Sequence, residues 1–125
     1  MRDVLFVAMG GAIGAALRYV VGSGISARAE SAFPWHTFAI NISGAFLIGL
    51  LLTLPLAGMH SGAPWRLFLV TGILGGFTTF SALSWESIEL VANGRLFSGL
   101  ANMFGSGVVG LGAAWLGLVV GRLFV

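Results

Sequence analysis

The groups able to do chemistry in this chain are few, neutral and gathered into three short stretches. The first is "TGILGGFTTFSAL", Thr71 to Leu83, where glycines, paired threonines and a serine interrupt a run otherwise apolar enough to cross a bilayer. In hydrocarbon an unpaired peptide group costs several kcal/mol, so backbone leaves a helix only where protein, ion or water satisfies it. Gly75-Gly76 lowers helix propensity, and the Thr78-Thr79 hydroxyls can replace lost backbone bonds. Two readings stay open for this stretch. A break would free carbonyls around Gly75 to Thr78, which are ligands for a hard cation such as Na⁺; a mild kink would bond to its own threonines.

The second stretch centres on Asn41, with Thr37 one turn earlier and Gly44 beside it. A buried amide donates two hydrogen bonds, which suits a neighbouring helix or an anion. The third is the stripe Asn102, Ser106, Gly110 at i, i+4, i+8, which shares one helix face. What is missing narrows the chemistry further. No acid or histidine lies deep in an apolar run: Glu86 and Glu89 fall towards the end of the third, and His36 and His60 sit in connections where solvation is expected. Ser81 and Ser84 have no histidine at useful spacing, and there is no cysteine. Disulfides, thiol catalysis and thiolate metal sites are excluded, and a membrane enzyme is a poor reading.

These residues sit on four apolar runs, roughly Val4–Gly24, Thr37–Leu56, Leu67–Ala92 and Leu96–Leu123, each long enough for a spanning helix of about 20 residues. The chain of 125 residues is 58% hydrophobic and 8% charged, against about 25% charged in soluble domains, so it cannot cover itself with a wettable surface. The expected fold is an all-α integral membrane protein of one four-helix domain, 1–125, with the third helix broken near mid-membrane. Net charge is +2 and the six arginines stand singly, so the high pI does not mark a nucleic-acid binder. Arg2, Arg66 and Arg122 fall on one side and Arg28 and Arg95 on the other, with Arg18 at the end of the first helix. So small a bias predicts weakly determined orientation. Arg2, the apolar run Val4 to Leu17 and "ARA" at 27–29 imitate a secretory leader, but Arg18 interrupts the run, and an uncleaved first span is expected. Twenty glycines, several spaced by four (Gly10 with Gly14, Gly72 with Gly76, Gly117 with Gly121), provide faces on which helix backbones approach closely.

Three motifs together carry a resemblance: "GGAIGAALRY" (Gly10–Tyr19), "TFAINISGAFLIG" (Thr37–Gly49) and "TGILGGFTTFSALSWE" (Thr71–Glu86). The chain resembles the Fluc/CrcB family of fluoride channels over essentially its whole length. The resemblance implies an antiparallel, dual-topology homodimer in lipid, with two anion pathways along the subunit interface. It also implies a structural Na⁺ on the two-fold axis, held by the main-chain carbonyls of Gly75 and Thr78 from both subunits. On the fluoride path it places Asn41, Phe80 and Leu83, with Thr79, Ser81, Asn102 and Ser106, and it gives Arg18 the role of vestibule or interfacial anchor. The chain departs from the family where Leu83 stands for a second pore phenylalanine and Asn102 for a tyrosine common among relatives. The implied function is passive export of cytoplasmic fluoride across a prokaryotic plasma (inner) membrane, with no nucleic-acid partner. A small dual-topology multidrug exporter is the main rival, but it needs a glutamate in its first span and Val4 to Gly24 has none. A non-transporting assembly subunit would explain the glycines alone.

Overall fold

The structure is a computed structural model and describes residues 1–54 and 63–125. Among these residues all regular structure is helical. Helix α1 spans Arg2–Ser26 and α2 spans Trp35–Thr53. The next run, 64–77, is called α3; it joins a first turn, Pro64–Arg66, to a π-helical stretch, Leu67–Leu74, and a last α turn, Gly75–Phe77. Helix α4 spans Phe80–Ala92 and α5 spans Leu96–Arg122. Among the described residues four helical segments are long and apolar enough to cross a membrane, the third being Pro64–Ala92 with its interruption. The expected spans agree with these bounds to within three residues wherever they are described. The end of the second expected span, at Leu56, and His60 lie outside the described residues.

The molecule is turned inside out relative to a soluble bundle. Large apolar side chains on every helix are exposed, among them Val4, Leu5, Val108, Leu111 and Trp115. Buried positions include Thr37, Ser87, Asn102 and Ser106 beside a handful of apolar residues. Lipid removes the hydrophobic drive between helices, so association rests on close van der Waals contact and interhelical hydrogen bonds. Glycine supplies that contact. Helix α1 lies on α3, and a Cβ added at Gly10 would land on the Phe68 carbonyl oxygen, one at Gly14 on that of Ile73. In return, a Cβ at Gly76 would stand 2.6 Å from the Gly11 oxygen. Helix α2 lies on α5 in the same way, Gly49 against Ala114 and Gly117 against Phe46. Gly10, Gly14, Gly72, Gly76 and Gly117, all among the glycines spaced by four, are places where backbone meets backbone.

The hairpin between α4 and α5 is closed by Gly94, whose φ of +77° is open to glycine at no steric cost. The N–H of Arg95 bonds the Leu90 carbonyl at 2.8 Å and that of Gly94 the Val91 carbonyl at 3.0 Å, which satisfies the last turn of α4. This turn lays α4 along α5.

Candidate functional site

The third span breaks two residues beyond its glycine pair. Gly75 and Gly76 remain helical; Thr78 (φ −81°, ψ 157°) and Thr79 (φ −152°, ψ 118°) are extended. Glycine propensity pointed to Gly75-Gly76, but Gly76 is pressed on the backbone of α1 and its helix is kept by that packing. The π-helical turns before it carried no sequence signal.

Each end of the break has its own partners. The N–H and the hydroxyl of Thr78 both donate to the Leu74 carbonyl at 3.0 Å, closing α3. The Thr79 hydroxyl caps α4 by accepting from the Ala82 N–H at 3.3 Å, and it lies 3.2 Å from the Ser81 hydroxyl. Between these ends the main chain of Thr79 would be stranded, and α2 supplies the remedy. Asn41 Oδ1 accepts from the Thr79 N–H at 2.8 Å, and Asn41 Nδ2 donates to the Thr79 carbonyl at 3.0 Å. One amide side chain thus stands in for a missing peptide neighbour. Three residues on, Gly44 leaves room for the Thr78 methyl group, whose place a Cβ there would take. Asn41 and Gly44 together dock the break on α2.

Two groups at the break remain open. Among the described residues no hydrogen bond reaches the carbonyl oxygens of Gly75 or Thr78, because the N–H that would meet Gly75 in a continuous helix belongs to Thr79 and goes to Asn41. The amide of Asn41 keeps one further N–H beyond the two bonds to Thr79.

The other expected site residues separate into two groups. Arg18, Thr79 and Ser81 line a common cavity of about 500 Å³ that reaches the break. Asn102 and Ser106 lie on the buried face of α5, where Asn102 Nδ2 donates to the Ser87 hydroxyl at 3.0 Å. Ser87 in turn donates to the Leu83 carbonyl at 2.7 Å. The Ser106 hydroxyl and Asn102 Oδ1 are buried and have no hydrogen-bond partner among the described residues. Phe80 and Leu83, one turn apart, point to different surroundings: Phe80 is 75% exposed on the outside of the chain, Leu83 only 7%.

Sequence reasoning missed one cluster. His36, expected to be solvated in a connection, belongs to the first turn of α2, with its Nε2 3.1 Å from Glu86 Oε1. Its neighbour Thr37 donates its hydroxyl to the same oxygen at 2.7 Å. Glu86 Oε2 is buried and has no hydrogen-bond partner among the described residues. No local signal marks this cluster, because its partners stand 49 and 50 residues apart in the chain.

The sequence matches, over residues 5–118, the family described as CrcB-like protein, Camphor Resistance (CrcB). A relative from Thermus thermophilus, named Fluoride-specific ion channel FluC, is 46% identical over 125 residues, covering 100% of this chain and 99% of its own. One of the same name from Rhizobium meliloti is 43% identical over 125 residues, with both chains covered fully. A third, from Solibacter usitatus, is 42% identical over 118 residues, or 94% of this chain and 97% of its own.

Proposed function

Because the chain belongs to the CrcB family, we infer that it is a fluoride channel, a multi-pass membrane protein that lets fluoride leave the cytoplasm of a prokaryote without catalysis or coupled energy. The observation that carries this reading is the pair of hydrogen bonds between the Asn41 amide and the Thr79 main chain at a helix break beside free donors and free carbonyls. Fluoride is small and holds water tightly. A path for it must replace that water with hydrogen-bond donors that do not trap the ion, and neutral amides and hydroxyls do this more gently than a buried cation would.

The donors available are the second N–H of Asn41, the Thr79 and Ser81 hydroxyls beside the break, and the unpartnered Ser106 hydroxyl with Asn102 deeper along α5. Phe80 adds the positive edge of an aromatic ring from the outer face, where a second subunit docks. Leu83 lies buried behind it and shapes the wall without such an edge. Arg18, lining the cavity that reaches the break, concentrates anions there. In a host deprived of its own fluoride exit, expression of the protein is expected to restore growth on fluoride. Unrestored growth with the protein present in the membrane would count against the reading.

The working unit in this reading is an antiparallel homodimer with a structural Na⁺ on its axis. The Gly75 and Thr78 carbonyls fit such an ion: they are hard oxygens, freed by the break and left without a hydrogen bond. One chain offers too few oxygens for a hard cation, and a second copy doubles them. The ion supplies only fixed positive charge that holds the two breaks together. Replacing Na⁺ by N-methylglucamine is therefore expected to shift the purified protein from dimer towards monomer on size exclusion, and the shift should reverse when Na⁺ returns. An unchanged dimer after exhaustive exchange would remove the ion from the account.

A further inference from the structure

Helices α1 and α3 flank an apolar groove of about 570 Å³, lined by Phe6, Met9, Ala12 and Ile13 of α1 and by Trp65 and Phe68 of α3. The two helices run parallel, since Gly10 meets Phe68 and Gly14 meets Ile73, so Arg2 and Arg66 stand at the same end of them. Arg2, Phe6, Met9 and Ile13 follow one another at i, i+4, i+7 and i+11, a single stripe of α1. Arg66 adjoins Trp65 on the turn Pro64–Arg66, which packs on α1. We propose that one acyl chain of an anionic phospholipid fills this groove and that Arg2 and Arg66 hold its phosphate. The proposal needs only that the chain spans a membrane, and it stands apart from the fluoride reading.

Lining and charge agree on such an occupant. Trp65 and Phe68 form one wall as an edge-on pair, ring centroids 6.1 Å apart, and Met9, Ile13 and Trp65 leave the groove open to the outside. Tryptophan is enriched where hydrocarbon meets headgroups, which sets Trp65 and the neighbouring Arg66 at phosphate level. From Phe6 to Ile13 the groove runs about 10 Å along α1, less than one leaflet of a hydrocarbon core about 30 Å thick. That length suits a lipid chain entering from one surface. A helix of a second copy would need a seam through both leaflets, and close helix contact in lipid favours small residues over aromatic ones. The His36–Glu86 contact is the only salt bridge among the described residues, so neither arginine is held by a carboxylate there. Asp3 puts one negative charge on the same turn as Arg2, which leaves an excess of one positive charge at this end. Helix α1 has no side-chain N-cap, and the positive end of its dipole adds to the attraction. One basic charge near a membrane surface gives about a fivefold preference for anionic lipid.

The test is tryptophan quenching of the full chain in phosphatidylcholine vesicles, with brominated phosphatidylglycerol or brominated phosphatidylcholine added at rising mole fraction. Subtracting the signal of a Trp65→Phe variant isolates Trp65 from Trp35, Trp85 and Trp115. Half-quenching of Trp65 is expected at about a fivefold lower fraction of phosphatidylglycerol than of phosphatidylcholine. Arg2→Gln combined with Arg66→Gln should erase that preference. Ala12→Leu, whose larger side chain fills the groove, should weaken quenching of Trp65 by both lipids. Equal quenching of the wild type by the two lipids, an undiminished preference in the arginine double variant, or wild-type quenching in Ala12→Leu would overturn the proposal. A Trp65 that neither lipid reaches in the dimer would place a second copy on this face and overturns it equally. Should the variants fail to fold, the wild-type preference must shrink in about 1 M salt, where screening acts within about 3 Å; a preference indifferent to salt sinks the proposal.

Discussion

Asn41→Asp is expected to abolish fluoride conduction, lowering efflux from liposomes by more than about 100-fold, which corresponds to about 3 kcal/mol. The Asn41 amide serves both sides of one peptide unit, taking the Thr79 N–H at 2.8 Å and giving to the Thr79 carbonyl at 3.0 Å. A carboxylate keeps the first bond and turns the second into a repulsion between oxygens. It also removes the remaining amide donor and sets a negative charge on an anion route. Asn41→Ala tests the structural half of this argument alone, because it leaves both Thr79 groups orphaned at about 1–3 kcal/mol each. The alanine variant should lose stability as well as flux, as a lower melting temperature in detergent. Normal efflux from Asn41→Asp would mean that the ion path runs elsewhere.

A second large effect is expected from the smallest of substitutions. A methyl group at Gly14 would overlap the Ile73 carbonyl oxygen and stand 2.9 Å from the Phe77 nitrogen. Both contacts are backbone, so neither can swing aside, and α1 must move off α3 just before the break. Overpacking of this kind costs about 1–3 kcal/mol in a core that can adjust, and here close helix approach is itself the source of association. Gly14→Ala should therefore yield little monodisperse protein and no fluoride efflux. Gly24→Ala, on the same helix, meets only the Arg28 guanidinium in ordinary van der Waals contact at 3.6 Å and should match wild type in both. Equal stability of the two variants would mean that α1 and α3 are not packed as described.

The contrast between these residues shows what the sequence makes legible. Helix extent is written in long-range hydropathy, and glycine spacing announces close backbone approach, so the spans and the glycine faces can be read ahead of the fold, though not which face meets which. The position of the break is decided by competition. Low propensity at Gly75-Gly76 would open the helix there, but the Gly76 contact with Gly11 keeps it wound. The chain opens instead at Thr78-Thr79, where Asn41 of another helix repays the lost bonds. A partner 38 residues away leaves no local trace. The same holds for His36 and Glu86, 50 residues apart: alone, His36 reads as a solvated residue of a connection and Glu86 as an acid towards the end of a span. Phe80 and Leu83 mark another limit: three residues of helix turn a side chain through most of a circle, and the edge of the buried face falls between them.

The central claim, passive and selective fluoride conduction, is tested most directly by efflux from liposomes loaded with potassium fluoride, or in parallel with potassium chloride, and containing the purified protein. A fluoride or chloride electrode follows the anion after valinomycin is added to carry K⁺, with and without an imposed proton gradient. The account predicts rapid fluoride release that is indifferent to the proton gradient, with chloride retained as in protein-free liposomes. Fluoride that stays inside, or leaves only when a proton gradient drives it, would contradict the account.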